Sequence, residues 1–197
     1  MSELLPAPNI QLKKAHHSPA YGPADLPHLL AFVNNPLVQN TLISDHIVPR
    51  NHRFATKIEE IANEALLYVI IEAIDKPTGP RVIGAASITV ANVKNRDVNF
   101  GIGLVPDVWG QGYVSEVTEF LVDYAFKNLA IHRISLGVLD SNLGAIKLYK
   151  RIGCVEEGRK RQSNFFDGKW QDSIHMGILE SEWFAKKREQ STRAVQA

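Results

Sequence analysis

Cysteine is nearly missing from this sequence: one thiol, Cys154, in 197 residues. A single thiol excludes an intrachain disulfide framework and any Cys-x-x-Cys metal pair, and it suits a reducing compartment. Charge of one sign is missing too. Lys and Arg number 22 against 21 Asp and Glu, so no overall field draws the chain to nucleic acid or to a membrane surface. No apolar run reaches the roughly 18–20 residues that cross a bilayer. The opening Met1-Ser2-Glu3-Leu4-Leu5-Pro6-Ala7-Pro8 has neither the charged start nor the apolar core of a secretion signal. These absences lead us to expect a cytoplasmic protein with no nucleic-acid or membrane partner. Repeats, low-complexity linkers and composition shifts are lacking as well. The reading is therefore one domain over residues 9–185, after a flexible start (1–8) and before a polar tail (186–197).

What the chain does have is alternating element signals. Residues 10–15 alternate as a first strand. Residues 23–34 carry an apolar stripe at Leu26, Leu29, Leu30 and Val33 that predicts a helix ending before Pro36, with a short helix over 37–42. Residues 44–53 read as loop and 54–65 as helix. Residues 67–74 and 82–90 are runs rich in β-branched residues and apolar on both faces, the mark of central strands covered on each side. Turn chemistry lies between them at 76–80. Another strand follows to Val105-Pro106, then a glycine loop, a helix over 115–129 and a strand over 133–139. Asn142 is placed to cap a helix over 143–152, with Gly153 at its C′ position. Residues 155–166 and 173–179 form two strands joined through Asp167-Gly168, a hairpin signal, and a short helix covers 180–187.

The chemistry is concentrated in Trp109-Gly110-Gln111-Gly112-Tyr113-Val114-Ser115. The apolar positions Val117, Phe120, Leu121 and Tyr124 follow at helical spacing, so a strand feeds a glycine loop that opens a helix. Unpaired N–H groups and the positive end of the helix dipole then face an anion. An ordinary strand-to-helix turn, with glycines relieving sterics, fits the loop taken alone.

Downstream, Asp140-Ser141-Asn142-x-x-Ala145-x-x-Leu148-Tyr149-x-x-x-Gly153 completes a pattern. The two motifs in this order resemble the GNAT superfamily of acyl-CoA-dependent N-acetyltransferases, over residues 9 to 184. Within it, the W-G-x-G-Y loop, the turn Asp167-Gly168-Lys169-Trp170 and Asp172 look like the ribosomal-protein N-terminal acetyltransferases (RimJ/RimL-like). The resemblance implies a mixed α/β fold. A mostly antiparallel sheet of about six to seven strands would be splayed between its fourth and fifth strands and flanked by helices. Acetyl-CoA would be the co-substrate, with no metal. Gly110, Gln111, Gly112, Tyr113, Val114 and Ser115, beside Trp109, would hold the pyrophosphate, with Val114 crowding a position usually Gly or Ala. Ile102, Gly103 and Leu104 would pair with the pantetheine, which Asn142 and Ala145 would also meet. Tyr149 would be the acid at the departing thiolate, a phenol of pKa about 10 matched to a similarly basic thiol. Spacing alone leaves Tyr149 as a packed aromatic.

The general base is where the sequence departs from its relatives. The two strand positions that carry glutamate in the family hold Asn99 and Gly137 here. Asn99 orients a water but accepts no proton as a carboxylate does. A peptide N-terminus is the expected acceptor, with a small amine (polyamine, amino sugar, antibiotic or toxin) as alternative and a non-catalytic acyl-CoA-binding module as rival. Residues 43–64 mix acids and bases, without the acidic bias a polyamine site wants. The expected assembly is monomer or homodimer. His46 and His52 fall in the loop that borders the family's acceptor pocket, and His175 on a strand face opposite Ile174, Met176 and Ile178. The adjacent His16 and His17 read as solvated. Asp172 reads as a hairpin stabiliser, Lys147, Lys150 and Arg151 as a solvated helix face, and Cys154 as core.

Overall fold

The computed structural model describes residues 4–7, 10–14, 26–42, 46–75 and 81–195. His16, His17 and the turn at 76–80 lie outside them. The contacts divide the chain into two compact units, each built from two stretches: Met1–Val90 with Phe100–Phe120, and Ala91–Asn99 with Leu121–Ala197. The sequence shows no linker at these boundaries because all three crossings fall inside regular elements. They lie in strand β4 (Arg81–Asn92), strand β5 (Asp97–Leu104) and helix α4 (Tyr113–Asn128).

In the first unit, β1 (Leu4–Ala7), β2 (Ile10–Lys14), β3 (Leu67–Ala73) and β4 pair antiparallel in sequence order. Strand β1 occupies part of the stretch expected to be a flexible lead-in, since its backbone pairs with β2 from Leu4↔Lys13 to Ala7↔Ile10. The run at 67–73 is buried along almost its whole length, as a strand apolar on both faces must be. Helices α1 (Leu26–Asn34), α2 (Pro36–Leu42) and α3 (Phe54–Glu64) complete the unit. Leu29, Ile58, Ile70 and Ala85 form a buried cluster, with Val33, Phe54, Tyr68 and Val82 packed on it.

In the second unit, the first three residues of β5 run parallel to β6 (Arg133–Leu139), with rungs Asp97↔Arg133, Val98↔Ile134 and Asn99↔Ser135, where the ladder ends. Strand β6 pairs antiparallel with β8 (Lys169–Leu179), and β8 with β7 (Val155–Phe166). Asp167 and Gly168 both have positive φ, 48° and 73°, the backbone of a two-residue type I′ hairpin. Helix α5 (Leu143–Ile152) ends at Gly153 with φ 119°, a left-handed closing residue. Helix α6 spans Glu180–Val195, well beyond the short helix and polar tail expected. Its sequence holds no Pro or Gly after 180, and Trp183 anchors it: the ring is fully buried and its Nε1 donates to Asp123 Oδ1 at 3.0 Å. With β1 included, the described residues form eight strands rather than six to seven.

Candidate active site

The sequence-predicted site residues fall in both units. In the first unit, β5 ends at Leu104, and a single 3₁₀ turn (Pro106–Val108) leads to the glycine loop. Gly110 and Gly112 have φ of 75° and 92°, and a Cβ added to either would meet nothing within 4 Å. Backbone conformation, not crowding, is therefore what demands glycine twice. The loop is pinned on every side. Trp109, 47% exposed, donates its indole N–H to the Leu104 carbonyl at 2.8 Å. Gln111 Nε2 donates to the Asp107 carbonyl at 2.8 Å, Arg81 pairs with the Asp107 carboxylate at 2.5 Å, and the Val105 N–H donates to Ile83 at 2.8 Å.

Tyr113 enters the core, and its hydroxyl donates to the Asp75 carboxylate at 2.6 Å. Sequence reasoning assigned Tyr113 to the ligand and overlooked Asp75. The structure makes the pair a brace for the first turn of α4. Ser115 and Glu116 donate their N–H groups back to the Gly112 carbonyl. The N–H groups of Gly110, Gly112 and Val114 have no acceptor among the described residues. Three amide donors at a helix start, on a braced loop with open space over both glycines, suit a pyrophosphate.

On β5 itself, a side chain at Gly103 would strike Phe32 and Leu42, and one at Gly84 would strike the Gly103 carbonyl. The glycines let α1 and α2 lie directly on the strand. The loop after α2 is fastened to the same helices by two reciprocal amide clamps. Asn34 Nδ2 donates to the Arg50 carbonyl at 2.8 Å and accepts the Arg50 N–H on Oδ1 at 2.6 Å. Gln39 does the same with Val48, at 3.2 Å each way. His46 and His52 are exposed on this loop.

In the second unit, Asn142 caps α5 as the spacing predicts: its Oδ1 accepts the Ala145 N–H at 3.1 Å. That bond consumes the amide of Ala145, so the ligand contact expected there is left to its methyl, while the Asn142 Nδ2 stays available among the described residues. The turn carrying Asn142 is held from β8. Ser141 Oγ donates to Gln171 Oε1 at 2.7 Å, and the Asp140 N–H donates to the Asp172 carbonyl at 3.1 Å. The Asp172 carboxylate accepts the Gln162 N–H at 2.8 Å and Arg159 Nη1 at 3.1 Å, and these bonds hold its carboxyl below the usual range. Asp172 is thus a structural tie, as its sequence reading had it.

Tyr149 is 7% exposed, and its hydroxyl makes no hydrogen bond among the described residues. Burial, with Cys154 nearby, pushes the phenol up to about 12. Burial likewise pushes the Cys154 thiol up to about 12, so it stays protonated and packs as core. Asn99 is exposed at the last rung of the β5–β6 ladder. Beside it Ser135 Oγ donates to Asp97 Oδ1 at 2.9 Å and accepts Arg133 Nε at 3.1 Å. Lys147, Lys150 and Arg151 are exposed. No group of three His, Cys, Asp or Glu suited to a metal occurs among the described residues, and none of their helices is long and apolar enough to cross a membrane.

The acetyltransferase (GNAT) domain family matches residues 19–155. The chain is 29% identical over 159 residues to a spermidine N(1)-acetyltransferase of Vibrio cholerae, covering 78% of this chain and 89% of that protein. It is 26% identical over 104 residues to a Bacillus subtilis protein provisionally named a ribosomal N-acetyltransferase, covering 53% of this chain and 57% of that protein. A solved spermidine N-acetyltransferase from Vibrio cholerae, in complex with CoA and spermine, superposes with a TM-score of 0.72 at 24% identity, over 89% of this chain and 98% of that one. The chain therefore belongs to the GNAT acetyltransferases. It is an N-acetyltransferase with acetyl-CoA as co-substrate, on the mixed α/β fold the motifs implied. The ribosomal-protein branch is not singled out, because spermidine acetyltransferases stand beside it among the relatives.

Proposed function

We propose that this chain moves an acetyl group from acetyl-CoA to the primary amine of a small molecule by direct attack. The observation that carries the reading is the braced loop at 109–112 with its three open amide donors, which fits the coenzyme's pyrophosphate. Ile102, Gly103 and Leu104 supply the strand edge for the pantetheine, and Asn142 Nδ2 a further donor. A backbone N–H of this strand near Leu104 supplies the donor that stabilises the tetrahedral oxyanion. Tyr149 meets the departing sulfur. At about 12, its phenol is a much weaker acid than a thiol of about 8.5. It therefore stabilises the thiolate by a donated hydrogen bond rather than by full proton transfer, which sharpens the role the sequence suggested.

The relatives favour a small amine over the peptide N-terminus first expected, and they favour an enzyme over a binding module. Against a polycation stands the local charge. Between Asp25 and Glu59 the sequence has one carboxylate, Asp45, against Arg50, Arg53, Lys57 and three histidines. The test is thiol release from acetyl-CoA with spermidine, spermine, glucosamine and tri-alanine as acceptors. Turnover of a small amine at least tenfold above tri-alanine supports the proposal. A preference for the peptide returns the acceptor to a protein N-terminus.

A further inference from the structure

The proton of the acceptor ammonium needs a destination, and the two positions expected to hold a carboxylate are Asn99 and Gly137. The register of the second unit shows what stands beside the second vacancy. Gly137 of β6 pairs directly with His175 of β8, and across the other edge of β8 His175 pairs with Gly158 of β7. The imidazole is thus flanked on both sides by a glycine, Gly137 and Gly158. It is exposed, whereas its neighbours Ile174 and Met176 are buried on the opposite face. Pairing partners share a face, so the rungs Asn99↔Ser135 and Gly137↔His175 put Asn99, Ser135 and His175 on one side of the sheet.

The other charged groups on that side are committed or unsuitable. Asp97 accepts from Ser135 and lies 3.9 Å from Arg133. Glu157 is bound to Arg133, an ion pair that, with Asp97 and Glu182 nearby, holds the guanidinium charged. Lys160, opposite Ser173, is a cation. The His175 ring makes no side-chain hydrogen bond among the described residues.

We propose that His175 is the general base of the reaction, receiving the ammonium proton through water oriented by Asn99. The assignment rests on the acetyl-transfer reading above. In an ideal sheet, two strand spacings and two residues of rise put the Cα atoms of Asn99 and His175 about 12 Å apart. Two side chains and one or two waters span that distance. An N–H bond of the ammonium breaks and its electron pair stays on nitrogen. The proton passes along the water to a ring nitrogen of the imidazole and leaves from the exposed ring to solvent. The freed amine then attacks the thioester carbonyl.

The experiment is the pH profile of kcat/KM between pH 5.5 and 9.5, with the fastest amine of the panel, for wild type, His175→Gln and His175→Ala. Circular dichroism confirms folding and calorimetry measures CoA affinity. The expected results are a loss of roughly a hundredfold at pH 7 in both variants, disappearance of the acidic limb that belongs to the imidazole, partial rescue of His175→Ala by free imidazole, and CoA affinity unchanged. A wild-type rate and profile in His175→Gln overturn the assignment while leaving the transfer reading intact. A wild type that binds CoA but acetylates no amine overturns both.

Discussion

The indole N–H of Trp109 and the carbonyl of Leu104, 2.8 Å apart, tie the glycine loop to the end of the strand that precedes it. The bond holds the start of the loop, and with it the three open loop amides, against the strand end. Removing it costs about 1 kcal/mol, enough to populate loop positions with the donors misaligned. Trp109→Phe is expected to raise KM for acetyl-CoA about three- to tenfold, with kcat within a factor of two and little change in Tm. Steady-state kinetics with thermal melts check this, and an unchanged KM shows that the Trp109 bond does not position the loop.

Gly112 has room for a side chain but the wrong φ for one. Gly112→Ala therefore carries only the conformational cost, about 1–2 kcal/mol. Gly112→Asp adds a like charge where an anion is expected to bind. By calorimetry Gly112→Ala is expected to bind CoA within about tenfold of wild type and Gly112→Asp not at all, while both remain folded. CoA bound with wild-type affinity by Gly112→Asp contradicts the pyrophosphate assignment.

Much of this was legible in the sequence, and particular residues show why. Asn142 and Gly153 announce their helix because capping chemistry is local, and Asp167-Gly168 announces its hairpin for the same reason. The length of α6 was not legible, because residues 188–195 have helix-compatible composition but no apolar stripe, and the Trp183–Asp123 anchor spans 60 positions. The brace between Tyr113 and Asp75 is likewise long-range. So is the neighbourhood of Gly137: only strand register reveals that His175 stands next to it. The two-unit division was hidden because its crossings run through β4, β5 and α4 rather than through linkers.

Burial raises the Tyr149 phenol from 10.0 to about 12 and the Cys154 thiol from 9.0 to about 12. Each raised value means that the folded state keeps the proton longer than the unfolded chain does. The contribution is complete below about pH 9 and is lost as pH climbs towards 12. For Tyr149 alone the loss is about 3 kcal/mol. Urea midpoints at pH 8, 10 and 11 are expected to fall steeply above pH 10 in wild type, and less steeply in Tyr149→Phe. A flat wild-type dependence across that window contradicts the buried state of the pair.

If Tyr149 acts on the sulfur of the coenzyme rather than merely packing its helix, Tyr149→Phe, which keeps the ring, removes that action alone. Single-turnover acetyl transfer from acetyl-CoA to the best panel amine, run beside calorimetric CoA binding, is the most direct measurement. The expected result is a rate at least tenfold lower with CoA affinity unchanged; transfer at the wild-type rate contradicts a role for the Tyr149 hydroxyl.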